Sequence, residues 1–116
     1  VKRYFARKTL CVHGHTHASS REASRCADLH LRERLGEITN LQVEPQFWFQ
    51  IDGQPIKHLN GRRVGYKPDF TYTELPSQQD VAEDVKAKNG HMERDVPLRM
   101  AIFRHLFPHI ELRVVK

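Results

Sequence analysis

An α/β domain with a mixed central sheet flanked by helices is the fold class this sequence predicts, and three observations carry it. A helix-start signature at Ser19–Glu22 is followed by apolar residues at helical spacing. From Leu41 to Lys86 the spacing shortens to two, and turn dipeptides separate the segments. A second helical stripe then leads into a last alternating segment. A strand reached through a helical crossover is expected to lie parallel to a strand of the same sheet.

Residues 1–18 read as a basic N-terminal arm, with Lys2, Arg3, Arg7 and Lys8, running into a short strand at Thr9–Val12 with Gly14 as a turn. Ser19-Ser20-Arg21-Glu22 has the spacing of a capping box, Ser19 as N-cap and Glu22 reaching back to it. Ala23, Cys26, Ala27, Leu31 and Leu35 then form the apolar stripe, with Leu29 at its edge and Gly36 as the stop. This predicts a helix of about 16 residues, with Arg21, Arg25 and Arg32 on its polar flank. Leu41, Val43, Phe47, Phe49 and Ile51 alternate as one strand entered past Pro45. Asp52-Gly53 and Asn60-Gly61 are hairpin dipeptides bounding an edge strand or flap over 54–59. Strands follow at Arg63–Thr73 and Val81–Lys86, joined by the polar turn Pro76–Asp80, with a loop over 87–91. Asp95 is the expected N-cap of a second helix whose stripe is Leu98, Ala101, Ile102, Phe103 and Leu106, ended by Pro108. Ile110, Leu112 and Val114 close the chain as a strand.

At 116 residues the chain fits one domain, residues 1–116. No apolar run reaches the length of a membrane span, and the basic start lacks the apolar stretch of a secretory signal, so no membrane partner is expected. The formal net charge of +5 favours polyanionic partners, nucleic acid before acidic membrane. Cys11 and Cys26 lack CxxC spacing, which reads as two free thiols in a reducing cytoplasm, Cys26 in the core.

The chemistry concentrates in Gly65–Tyr72 and Val81–Lys86. If these are paired strands, Asp84 and Lys86 share a sheet face and Asp69 approaches them from the neighbouring strand. Carboxylates held a few ångströms apart repel unless a cation or proton intervenes, and a divalent metal would resolve that repulsion. Glu83 points to the opposite face by the same period and is excluded from the site.

The order helix, strand, strand, strand, helix, strand, with Pro68-Asp69 and Asp84-Val85-Lys86 in the second and third strands, resembles the restriction-endonuclease-like PD-(D/E)xK nucleases and their αβββαβ core. More narrowly, Ser20–Ala23, Gly36–Ile38, Pro45, Phe47, Pro68–Tyr72 and Val81–Lys86 resemble a family of small phage-encoded endonuclease-like proteins. These are related in outline to the junction-resolving endonuclease I group of bacteriophages. The chain departs from that pattern with Glu44 for a glutamine, Ala87 for a glycine and Arg99 for a lysine, and with an apparent insertion at 60–63.

The resemblance implies a metal-dependent endodeoxyribonuclease acting on structured or branched DNA, in the bacterial host cytoplasm if phage-encoded. Asp69, Asp84, Glu22 and the main-chain carbonyl of Val85 would hold one or two Mg²⁺ or Mn²⁺ ions, and Lys86 would orient the attacking water or neutralise charge on the phosphate. Arg21, Arg25, Arg62, Arg63, Lys67, Lys88 and Arg99 would bind the nucleic-acid backbone without reading bases, and His58 sits among them. Selectivity for branches would call for a homodimer presenting two sites. Two other readings stand beside this one, a non-catalytic nucleic-acid-binding module on the same fold and an RNA-directed nuclease.

Blander explanations compete residue by residue. The capping box accounts for Glu22 by itself, and alternating Asp84 and Lys86 also suit a solvated strand. Glu44 reads as a surface residue beside Pro45. His13, His15 and His17 alternate but have no thiolate partner and read as a solvated strand. His91, His105 and His109 read as loop and helix-end residues. Trp48 and Phe49 divide between an exposed face and the core.

Overall fold

The computed structural model describes residues 9–10, 16–17, 19–86 and 92–116. Lys2, Arg3, Arg7, Lys8, Cys11, His13, His15, the side chain of His17 and the 87–91 loop with Lys88 and His91 lie outside the described residues. In chain order the elements are β1 (Thr9–Leu10), β2 (Thr16–His17), α1 (Ser20–Arg34), β3 (Ile38–Val43), β4 (Phe47–Trp48), β5 (Gln50–Ile51) and β6 (Gln54–Pro55). They continue as β7 (Gly65–Tyr66), β8 (Phe70–Glu74), β9 (Gln79–Val85), α2 (Val96–Leu106) and β10 (Ile110–Val115). The main sheet has the order β10-β9-β8-β3. Its β3–β8 and β8–β9 pairs are antiparallel, and β9–β10 is parallel, as the helical crossover through α2 requires. This is an α/β fold with a mixed sheet and two helices.

Helix α1 starts where its cap signature lies. Ser19 is extended, and its hydroxyl accepts the Glu22 N–H at 3.2 Å. It stops in a Schellman turn: Glu37 N–H donates to Arg32 C=O and Gly36 N–H to Glu33 C=O, with Gly36 at φ +80°. The apolar stripe differs from the expected one. Leu31 and Leu35 are 46% and 64% exposed, whereas Leu29 is fully buried beside Ala23 and Cys26. Small Ala23 and Cys26 let the helix come close to Phe70, Tyr72 and Val81, so the contact line passes through them rather than through the larger leucines.

The expected single strand from Leu41 to Ile51 is instead three pieces. Glu44, exposed as expected, has φ +51°, and Pro45 has no N–H to donate, so pairing with β8 ends at Val43. The chain then turns to pair β4 with β7 and β5 with β6. Asp52 and Gly53, both at positive φ, make the β5–β6 turn. The Arg63–Thr73 strand is likewise split into β7 and β8, with Pro68 between them.

Helix α2 begins without a side-chain cap. Asp95 is itself helical in φ and ψ, and its carboxylate pairs with Arg99 at 3.0 Å. Met100 and Phe103 are the buried residues, while Leu98 is 64% exposed and Ala101 is exposed. The helix is turned by its aromatic contacts, since Phe103 lies 5.1 Å from Phe47 and 5.3 Å from Tyr66 between ring centroids. The sheet therefore carries a core on each face. One holds α1 against Phe70, Tyr72 and Val81, and the other holds α2 with Phe49 and Tyr66 against Ala82. Each fully buried phenylalanine contributes about 1.5–3 kcal/mol. Among the described residues no helix is long and apolar enough to cross a membrane.

Candidate active site

Antiparallel pairing of β8 and β9 sets Phe70 opposite Glu83, and Asp69 N–H donates to Glu83 C=O at 2.9 Å, which brings Asp69 level with Asp84. Opposite residues in an antiparallel pair share a face, and Lys86 rejoins that face two residues on. The Lys86 Nζ lies 2.9 Å from Asp84 Oδ1. The other oxygen, Oδ2, accepts the Tyr66 hydroxyl at 2.5 Å. Burial, and then the adjacent Asp84 carboxylate, push the Tyr66 hydroxyl upward, so it stays a proton donor.

Asp69 Oδ2 accepts the Val85 N–H at 2.6 Å. Glu22, buried at the first turn of α1, engages the Asp69 side chain in a hydrogen bond. Of the capping box, the structure shows the Ser19 half, its hydroxyl accepting the Glu22 N–H, while Glu22 itself lines the cleft. Burial raises the Asp69 carboxyl to about 8, helped by the charges of Glu22 and Asp84 and opposed by the Val85 N–H.

Glu22, Asp69, Asp84, Val85 and Lys86 line one cleft of about 980 Å³. Its rim carries Arg62, Arg63, Lys67, His58 and Arg99. Arg99 is anchored there, its Nη1 donating to Gly65 C=O at 2.6 Å. Arg63 stacks over the Trp48 ring, 4.9 Å from the centroid. Gly65 packs beneath: a Cβ on it would stand 2.3 Å from the Phe47 carbonyl oxygen.

Two expected backbone binders do not belong to this cleft. Arg25 forks onto the fully buried Glu83, Nε to Oε1 at 2.8 Å and Nη2 to Oε2 at 2.7 Å, with Nη1 on Asp28 at 2.6 Å. Tyr72 adds its hydroxyl to the same carboxylate. With Glu83 fully buried on the α1 face of the sheet and its two oxygens each taking a guanidinium N–H, the half-buried Arg25 is engaged as its counter-ion. Arg21 lines a separate depression with Ser24, Arg25 and Lys116.

Tyr66 and Gln46 join the site without having been expected there, and Trp48, expected mainly on an exposed face, lines it too. The Gly65-Tyr66 pair just ahead of Pro68-Asp69 was visible, but a partner 18 residues away carries no periodic signal. Among the described residues, no group of three or more His, Cys, Asp or Glu side chains is already arranged to hold a metal ion. Asp84 meets Lys86 and Tyr66 through its two oxygens, and Asp69 Oδ2 accepts the Val85 amide.

A family model matches residues 1–116, the whole chain. The chain belongs to the family described as protein of unknown function, DUF1064. No curated protein and no solved structure matches it. In this DUF1064 chain the groups able to do chemistry are those that line the cleft.

Proposed function

We propose that this DUF1064 chain is a divalent-metal-dependent endonuclease of the PD-(D/E)xK kind, hydrolysing phosphodiester bonds in DNA. The observation that carries the reading is one cleft with acids at its floor and bases at its rim. Glu22, Asp69, Asp84 and Lys86 lie inside, and Arg62, Arg63 and Lys67 surround them. The order of the main-sheet strands and the two helices along the chain, α1, β3, β8, β9, α2 and β10, supports it as well.

The donor set fits Mg²⁺ or Mn²⁺: hard carboxylate oxygens, with the Asp69 carboxyl held above its ordinary range by burial and then by the negative charge of Glu22 and Asp84, which a cation would relieve. Asp69, Asp84 and Glu22 would hold the ion, with the Val85 carbonyl as a further candidate ligand. A bound ion of this kind polarises the phosphate and acidifies water. The basic rim draws in the backbone, a largely sequence-independent attraction that salt weakens. Lys86, released from Asp84, is a cation able to stabilise charge growing on the phosphate or to orient a water. Tyr66 keeps Asp84 oriented by donating to Oδ2.

The test is cleavage of labelled junction, flap, single-stranded and duplex DNA and of RNA, with Mg²⁺, Mn²⁺ or chelator. Asp69→Asn, Asp84→Asn and Lys86→Ala are each expected to lower cleavage by at least about a hundredfold while DNA binding persists. The panel also reports any preference for branches, and sedimentation reports a homodimer. A wild type that cuts none of these substrates would sink the proposal.

A second reading has its own support. Both oxygens of Asp84 are already satisfied within the protein, as a non-catalytic nucleic-acid-binding module would have them. It predicts salt-sensitive binding that chelator does not change.

A further inference from the structure

Residues 54–63 form a finger beside the cleft, and this segment has a composition unlike the rest of the chain. From Gly53 to Pro68 there is no acidic residue, while Lys57, Arg62, Arg63 and Lys67 contribute four positive charges. From Gln50 to Arg63 every residue except Ile56 is exposed. The finger is nonetheless well bonded. Ile56 N–H donates to Phe49 C=O at 3.0 Å, Val64 N–H to Ile56 C=O at 2.9 Å, and Lys57 bridges to Arg63.

The tip is closed by three short bonds: His58 N–H to Arg62 C=O at 2.8 Å, Gly61 N–H to His58 C=O at 2.9 Å, and Arg62 N–H to Asn60 Oδ1 at 2.9 Å. Gly61 supplies the positive φ that the turn needs, +88°. Leu59 sits at this apex with a relative exposure of 110%, the largest among the exposed large hydrophobic residues. A lone exposed leucine is ordinary. This one stands on a closed turn between basic residues, and His58, Leu59, Asn60 and Arg62 border the cleft that holds Asp69 and Asp84.

Charge of this density selects a polyanion as the occupant. Leucine is among the side chains that wedge between base steps, and such insertion costs least where the stack is already interrupted. We propose that the finger is a strand-opening wedge: Lys57, Arg62 and Arg63 hold phosphates, and Leu59 enters the boundary between paired and unpaired DNA. Substrate choice would then reside in a single subunit, through recognition of a broken stack. The inference rests on the nuclease reading and adds the structural class of its substrate.

The experiment uses the full chain and a forked duplex carrying 2-aminopurine at the last base pair, beside a continuous duplex with the same label. In chelator, wild type is expected to raise the fluorescence of the fork at least about twofold and leave the continuous duplex unchanged. Leu59→Ala is expected to abolish that rise and, with Mg²⁺, to lower the fork-to-duplex cleavage ratio about tenfold. Leu59→Met, which keeps a long apolar tip, is expected to restore both. Asp84→Asn is expected to keep the fluorescence rise and lose cleavage, separating the wedge from the chemistry. If wild type cuts DNA but Leu59→Ala matches it in both readouts, the wedge is overturned and the nuclease stands. If wild type neither binds nor cuts DNA, both readings fall. A DNA-free dimer that Leu59→Ala dissociates would assign the tip to a second copy and overturn the wedge.

Discussion

Replacing Arg25 by Met is expected to destabilise the fold by about 3–4 kcal/mol near pH 7. The partner, Glu83, has no solvent exposure, so in the variant its carboxylate must either remain charged without a counter-ion or take up a proton. Protonating an ordinary glutamate, with a reference value of about 4.3, costs about 3.7 kcal/mol near pH 7 at about 1.36 kcal/mol per pH unit. That sets a ceiling, and it agrees with the roughly 3–5 kcal/mol seen when one partner of a buried ion pair is removed. The methionine chain replaces most of the apolar stem of the arginine, so lost packing adds little. Urea denaturation followed by circular dichroism reads the effect directly.

The pH dependence is the sharper half of that prediction. The variant's folded state holds the extra proton where the unfolded chain does not. Its deficit against wild type should therefore shrink toward about 1 kcal/mol near pH 5 and grow again as pH rises. The double variant Arg25→Met/Glu83→Leu, which removes both charges, should recover most of the loss. A single-variant loss below about 1 kcal/mol near pH 7, or one that does not change with pH, would refute the view that buried Glu83 depends on the half-buried Arg25.

Gly65→Ala should cost about 2 kcal/mol or more and speed amide exchange in β4 and β7, because the new Cβ meets backbone at 2.3 Å where little can give. Asp69 binds its proton more tightly folded than unfolded, so in chelator it should erode stability as pH rises from about 3.8 to about 8, and Asp69→Asn should melt higher than wild type at alkaline but not at acid pH. Across that same window Mg²⁺ uptake, measured calorimetrically in buffers of different ionisation heat, should release close to one proton.

How much of this was legible beforehand depended on whether a feature is local. The capping box and Gly36 marked both ends of α1, because a helix terminus is settled by residues within one turn of it. Asp84 and Lys86 on one face, with Asp69 across from them, followed from a two-residue period and one antiparallel pairing. Which leucines are buried did not follow. Leu31, Leu35 and Leu98 fit helical stripes as well as Leu29 and Met100 do, and only the partners on the sheet decided between them. The break at Glu44–Pro45 was signalled by the proline, yet the new pairing of β4 with β7 depends on residues about 18 positions away.

Arg25 shows the limit most plainly. As a sequence feature it is one more arginine on a basic helix flank, and Glu83 is one more acid to be turned away from the site. Their 58-residue separation hides the fork between them. By itself, then, the sequence determined the two helices and the order of the main-sheet strands around them, the acidic and basic residues of the candidate cleft and the charge that points to a polyanion. The tertiary structure decided which of those charges are free to meet one. Coulomb attraction between buried groups, unlike helical or strand periodicity, depends on distance in space and leaves no pattern along the chain.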